Sequence, residues 1–266
     1  MAQGKLQSTR VAASSLTAAD VRLPAFYPGM RVGLFGGSFD PPHAGHLEVS
    51  RVALRALALD QIWWLVSPHN PLKPHAPADL SRRIAAARAM VTDPRIKVTG
   101  VEAALGTTYT AETLALLLKR LRGVDCVWMM GADNLASFHR WRRWRQIAST
   151  IPIAVFNRPG EMPAALFAPA PVALRRARLP ASAAAFLAGI QPPAWVFLPT
   201  PHVPLSSTEL RARRRAEEIA PIRTAATTSR TTPRAPPKAA GMVRAVMAVM
   251  FIIPHVFKHL YLRYVV

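Results

Sequence analysis

Six short apolar runs mark the first two hundred residues of the chain, at 32–35, 62–66, 96–101, 127–130, 151–156 and 195–198. Short apolar runs of this length read as strands. Between them the apolar residues recur at helical spacing. Leu47, Val52, Leu54 and Leu57 suit one helix face, and Leu114, Leu117, Leu118 and Leu121 suit another, with Thr110 as its expected N-cap. Strand and helix in regular alternation predict a parallel sheet, because parallel strands need crossovers, and those crossovers place helices on both sides. The expected fold class is therefore α/β, a Rossmann-like, doubly wound parallel sheet. Residues 164–193 are rich in Ala and Pro without a clear period and read as a helix and loops over the sheet edge.

The pattern divides the chain. Residues 1–30 lack the apolar stretch of a secretory signal and read as a flexible N-terminal arm. Residues 31–219 form the expected catalytic domain, and 220–241, rich in Thr, Pro, Arg and Ala, have a composition that cannot bury enough surface to fold alone. Residues 242–266 are strongly apolar, but Arg244, Pro254 and His255 interrupt them, short of the ~20 residues a spanning helix needs. A packed terminal helix, an interfacial anchor and a segment without a role all remain open for that stretch, so membrane contact through it is not favoured.

Composition narrows the chemistry less than it first promises. The net charge of +20 comes from 34 Lys and Arg against 14 Asp and Glu. Seven of the basic residues and none of the acidic ones lie beyond 219, leaving +13 for residues 1–219. Such a field attracts nucleotides, nucleic acids and acidic membranes alike. The single cysteine, Cys126, excludes a disulfide framework and a Cys-based zinc site, and a reducing, cytoplasmic setting fits.

In open α/β sheets, ligands bind beyond the carboxyl ends of the strands. The first such segment is Gly36-Gly37-Ser38-Phe39-Asp40-Pro41-Pro42-His43-Ala44-Gly45-His46, between the first strand and the first helix. Paired glycines let backbone approach a ligand, and a helix start offers N–H groups to an anion. Spaced three apart, His43 and His46 project to one side if they share the first helical turn, making a cationic, hydrogen-bonding cradle. Neither the dinucleotide-binding nor the P-loop glycine pattern is present.

This string resembles the GG[ST]FDPxHxGH motif of the nicotinate-nucleotide adenylyltransferases, within the HxGH nucleotidyltransferase superfamily. The resemblance runs over roughly residues 31–215 and implies transfer of AMP from ATP to nicotinate mononucleotide, giving nicotinate adenine dinucleotide and pyrophosphate in NAD biosynthesis. It implies that His43 and His46 bind the ATP phosphates and stabilise charge without a covalent intermediate, with Gly36, Gly37, Ser38, Phe39 and Gly45 lining the ATP site. Ser206-Ser207-Thr208-Glu209-Leu210-Arg211 fits a capping box and also resembles the family's ISSTxxR motif, which implies ATP phosphate contacts from Ser207, Thr208 and Arg211, with Arg211 catalytic.

The acceptor side is read from four further segments. His69 and Lys73, in Pro68-His69-Asn70-Pro71-Leu72-Lys73, are candidates to grip the acceptor phosphate. Thr108-Tyr109-Thr110 resembles the family's [ST]YT segment beside the nicotinate ring, which marks Tyr109 and Thr110. Gly131-Ala132-Asp133-Asn134 with Phe138-His139-Arg140-Trp141 resembles GADN…FHxW, implying nucleotide contacts from Asp133 and ring stacking by Trp141. Arg142, next in sequence, is placed to attract a ring carboxylate. Arg158 lies in Asn157-Arg158-Pro159-Gly160, similar to the family's RPG turn. Mg²⁺ is expected with ATP, held mainly by phosphate oxygens and water, with no dedicated protein ligands and Asp40 the nearest acidic group. Nucleic acid is disfavoured as a partner because the site motifs are those of an enzyme.

Overall fold

In the computed structural model the described residues are 16–68, 77–157 and 162–201. Six strands, β1 (Arg31–Gly37), β2 (Gln61–Val66), β3 (Ile96–Thr99), β4 (Asp125–Gly131), β5 (Ile153–Asn157) and β6 (Trp195–Pro199), form one sheet in the order β3-β2-β1-β4-β5-β6. All neighbours are parallel, with Val32 aligned to Gln61 on one side and Cys126 on the other. The helices are α1 (Ala18–Val21), α2 (Ala44–Ala56), α3 (Leu80–Met90), α4 (Val101–Leu105), α5 (Thr110–Arg120), α6 (Ala132–Ser137), α7 (Trp144–Thr150), α8 (Met162–Leu166) and α9 (Pro169–Ala173). The doubly wound α/β architecture expected from the apolar runs is present.

Alternation along each strand supplies two cores. Val32, Leu34, Trp63, Leu65, Trp128 and Met130 face one side, where Leu114, Leu117, Leu135 and Ile147 cover them. Phe35, Ile62, Trp64, Val66 and Met129 face the other, under Ala53, Leu54, Ile84 and Ala87. Trp63 and Trp64 are neighbours in sequence, both fully buried, one in each core. Period two in side-chain direction requires this, and each large apolar side chain so buried contributes roughly 1.5–3 kcal/mol. Cys126 lies in the first core, and burial pushes its thiol up to about 12, with the Asp125 charge adding to the effect. It is therefore not a nucleophile at neutral pH.

Three boundaries differ from the sequence expectation. The third apolar run bends at Gly100: the strand ends at Thr99, and Val101, 1% exposed, opens α4. Apolar residues of the strand and of the helix start lie side by side in sequence, so the corner at Gly100 is not marked by the pattern. Thr110 is the first residue of α5 and not its cap, a position taken by Tyr109 without a side-chain bond. Residues 16–30, expected within a flexible arm, are docked. The Gly100 N–H donates to the Asp20 carbonyl at 2.7 Å, Thr99 Oγ1 to the Arg22 carbonyl at 2.8 Å, and Arg88 pairs with the Asp20 carboxylate. Met30 is buried in the core, with Leu23 and Phe26 packed against it.

The Ala- and Pro-rich stretch does cover the sheet edge. Helices α8 and α9 pack by α6. The chain then runs beside β6, where the Leu179 N–H donates to the Trp195 carbonyl at 2.8 Å. A 3₁₀ segment, Ala181–Gly189, follows on the opposite face, adding Ala184 and Leu187 to the second core. Among the described residues no helix is long and apolar enough to cross a membrane.

Candidate active site

Strand order reverses between β1 and β4. Helix α2, after β1, belongs to one face, and α6, after β4, to the other. Crossovers that part in this way leave a crevice at the carboxyl ends of the two strands. The segments bordering it are the glycine-histidine string and Gly131–Asn134, the two motifs singled out in the sequence. The floor of the crevice requires glycine at position 36, because a Cβ there would stand 2.5 Å from Trp128 Cη2. Gly36→Ala should destabilise the chain by about 1–3 kcal/mol as an overpacked position. A urea unfolding midpoint equal to wild type would show instead that Trp128 turns aside at little cost.

The histidines form a reciprocal cap. His43, 3% exposed, is the N-cap of α2: its Nδ1 accepts the Gly45 N–H at 3.1 Å, and its own N–H donates to His46 Nδ1 at 3.1 Å. The two rings are 3.9 Å apart, centroid to centroid. An Nδ1 that accepts an N–H carries a lone pair, so the ring proton sits on Nε2 in each. The pair is thus two neutral donors in this arrangement, where the sequence suggested a cationic cradle. The His46 ring rests on Phe39 (4.7 Å), which stacks on Trp64 (4.8 Å, 15° between planes). Ser50 ties the stack together, donating to the His46 carbonyl and accepting the Trp64 indole N–H, both at 2.9 Å.

This corrects the expectation for Phe39. Its side chain is 1% exposed and belongs to the core, so it supports His46 and leaves only backbone to line an ATP site. Its φ of +44° is uncommon for a non-glycine residue, and strain of this kind collects at functional sites.

Beneath the loop lies Arg83, 3% exposed on α3. Its guanidinium donates to four carbonyls: Nε to Ala78 at 2.7 Å, Nη1 to Ser38 at 2.7 Å and Ser67 at 2.8 Å, and Nη2 to Pro68 at 3.2 Å. Burial lowers its affinity for the proton, while Asp40 and Asp79 act in the opposite direction. Asp40 Oδ2 accepts the Ala78 N–H at 3.2 Å, so this carboxylate already serves the loop framework.

On the β4 side, Asp133 is exposed in the first turn of α6. Trp141 is half-buried, edge-on to Phe138 at 5.4 Å and to Trp128 at 6.5 Å. Trp144 is core. Arg142 lies 4.7 Å over the Tyr109 ring and pairs with Glu112 at 3.2 Å, so the two candidate acceptor residues meet, with part of the arginine charge offset. Behind Thr108–Thr110 is a buried polar group: Thr107 Oγ1 and Thr113 Oγ1 share a 2.8 Å bond, and Thr113 reaches Glu102 Oε1 at 3.4 Å. Burial pushes the Glu102 carboxyl up to about 7, partly opposed by the Thr113 bond. At the end of β5, Asn157 Oδ1 is buried without a partner among the described groups.

Comparison with known proteins agrees with this geometry. A family described as cytidylyltransferase-like matches residues 34–213. A probable nicotinate-nucleotide adenylyltransferase of Cereibacter sphaeroides is 54% identical over 186 residues, 70% of this chain and 98% of the relative. One from Methylorubrum extorquens is 55% identical over 185 residues, 69% of this chain and 100% of the relative. The chain belongs to the nicotinate-nucleotide adenylyltransferase family. The fold is also that of the Plasmodium falciparum nicotinic acid mononucleotide adenylyltransferase complexed with NaAD, at a TM-score of 0.53 and 15% identity, over 69% of this chain and 83% of that one.

Of the residues marked in the sequence, the structure brings Gly36, Gly37, Ser38, Gly45, His43 and His46 to the β1 side of the crevice and Asp133 to the β4 side, with Trp141 packed edge-on to Trp128. Tyr109, Thr110 and Arg142 form a neighbouring group at the start of α5. His69, Lys73, Arg158, Ser207, Thr208 and Arg211 lie outside the described residues. Arg83 and Glu102 had no signal in the sequence. Arg82-Arg83 reads as the solvated face of a basic helix, and Glu102 as an ordinary helix-start acid.

Proposed function

We propose that the chain transfers the adenylyl group of MgATP to nicotinate mononucleotide. An oxygen of the acceptor's phosphate attacks the α-phosphorus in line, forming the new P–O bond. The bond from the α-phosphorus to the α,β-bridging oxygen breaks, and pyrophosphate leaves with that electron pair. Nicotinate adenine dinucleotide is the other product. The observation that carries this reading is the histidine pair at the strand-order reversal, each ring fixed through Nδ1 and bearing its proton on Nε2. Two fixed, preorganised N–H donors suit phosphate oxygens on which charge develops, and they need no covalent step.

The remaining roles follow from the resemblance of the motifs. Backbone of Gly36, Gly37, Ser38 and Gly45 approaches the phosphates, and Ser207, Thr208 and Arg211 contact them from the second motif. Asp133 binds nucleotide groups, Trp141 stacks on the pyridine ring beside Tyr109 and Thr110, and Arg142 attracts the ring carboxylate, with His69, Lys73 and Arg158 completing the acceptor side. Mg²⁺ arrives as part of the ATP substrate. Asp40, the nearest acidic group, accepts the Ala78 N–H, and a cation carried mainly by phosphate oxygens and water needs no dedicated carboxylate cage. A cytoplasmic location belongs to the same reading.

Pyrophosphate release is the test, with ATP, Mg²⁺ and, separately, nicotinate mononucleotide, nicotinamide mononucleotide and pantetheine phosphate. Release with nicotinate mononucleotide well above the others is expected. Preference for another acceptor would retain the phosphate chemistry and overturn the assignments of Tyr109, Asp133 and Trp141, and no release with any would overturn the whole reading.

A further inference from the structure

Arg83 is a buried cation that the transfer reaction leaves without a role. Its four carbonyl partners are not one cap or one turn. Ser38 belongs to the loop leaving β1, Ser67 and Pro68 to the chain leaving β2, and Ala78 to the approach to α3. Among the described residues no carboxylate forms an ion pair with it at 4.0 Å or less. Taking a charge out of water is costly, and a well-packed apolar side chain would avoid that cost if filling space were the only requirement. What an apolar group could not do is hold carbonyls from two strand exits at a set separation.

The surrounding bonds bracket the same joint. Ser67 N–H and Oγ both donate to the Gly37 carbonyl, at 2.9 and 3.2 Å, and Asp40 receives the Ala78 N–H at 3.2 Å. The β1 exit thus meets the β2 exit through Gly37, Ser38 and Asp40 on one side and Ser67, Pro68 and Ala78 on the other, with the Arg83 fork between them.

We propose that Arg83 is a positioning residue for the transfer: its planar guanidinium sets the distance between the loop that bears the histidine pair and the β2 exit, and through that distance the in-line alignment of the two substrates. This rests on the adenylyl-transfer reading above. A lysine keeps the charge but offers donors from one point, so it cannot span four carbonyls in the same geometry. Misplacement of reacting groups by about 1 Å costs on the order of 10²-fold in rate, even when each substrate still binds.

Steady-state kinetics of full-length Arg83→Lys, with MgATP and nicotinate mononucleotide, provide the test. The expected result is kcat lower by about 10–100-fold, with KM for each substrate within about threefold of wild type and near-UV circular dichroism unchanged at the assay temperature. If Lys does not fold, Arg83→Ala with added guanidinium takes its place, and recovery of kcat by guanidinium but not by ammonium is expected. A kcat equal to wild type would sink the proposal. So would a loss that tracks the unfolded fraction and vanishes on cooling, or a rise in both KM values with kcat intact. Wild-type protein that releases no pyrophosphate would remove the transfer reading and this one together, whereas an active wild type beside an equally active Arg83→Lys removes this one alone.

Discussion

His43→Asn is expected to fold as well as wild type and to lose about 10²–10³-fold in kcat. The two halves of this result come from the two nitrogens of one ring. Nδ1 caps α2 by accepting the Gly45 N–H, and asparagine, among the best N-cap residues, offers an amide oxygen for the same bond. No atom of asparagine reaches where Nε2–H stands. His43→Ala removes both functions, and should add roughly 1 kcal/mol of destabilisation to the same loss of turnover. Thermal unfolding and pyrophosphate release on the two variants together check the division. If His43→Asn kept kcat within a few-fold of wild type, the histidine would be a helix cap and the phosphate assignment would fall.

The second large effect is on stability. The Glu102 carboxyl is buried beside Thr113 and titrates near 7 in the folded chain, against a reference of 4.5. Between these values the folded chain holds a proton that the unfolded chain has released. The contribution is therefore fully present below about 4.5 and is lost as the pH rises through about 7. The full swing is about 3 kcal/mol, from 1.36 kcal/mol per pH unit. Glu102→Gln should remove it, so that the variant gains on wild type by that amount between pH 4.5 and 8 in urea unfolding. A difference between the two proteins that stays constant over this range would mean that Glu102 ionises in the fold at no cost.

These two expectations differ in how far they could be reached without coordinates. The histidine pair was visible as a spacing on a helix start after a strand, and the strands were visible as short apolar runs, continuous in the buried middle of the sheet and interrupted by Lys97 and Thr99 at the β3 edge. The same pattern misled at Val101, where a buried helix start continues the run past the end of the strand. Phe39 misled in another way: a motif reports that a residue is needed, not which of its atoms is, and here the ring is a prop under His46. The protonation of the two rings was beyond reach because it depends on which nitrogen meets a backbone N–H. Arg83 and Glu102 were beyond reach because their surroundings are assembled from segments far apart in sequence, and neither has a composition or period that sets it apart from a solvated charge. The docking of residues 16–30 combines apolar contacts of Leu23, Phe26 and Met30 with bonds to Arg88, Thr99 and Gly100, and such scattered bonds and contacts form no period to read.

Those bonds and the ones beside β6 share a consequence. An open parallel sheet ends in two strands whose outer backbone groups are templates for another chain, and exposed edges of this kind promote aggregation. Here β3 has the carbonyls of Asp20 and Arg22 against its carboxyl end, and β6 has Arg178 and Leu179 alongside Trp195. The chain thus uses its own flanking segments as edge guards. A deletion that removed Asp20 to Arg22 would leave the histidines and the crevice untouched, and its cost would appear as self-association during refolding.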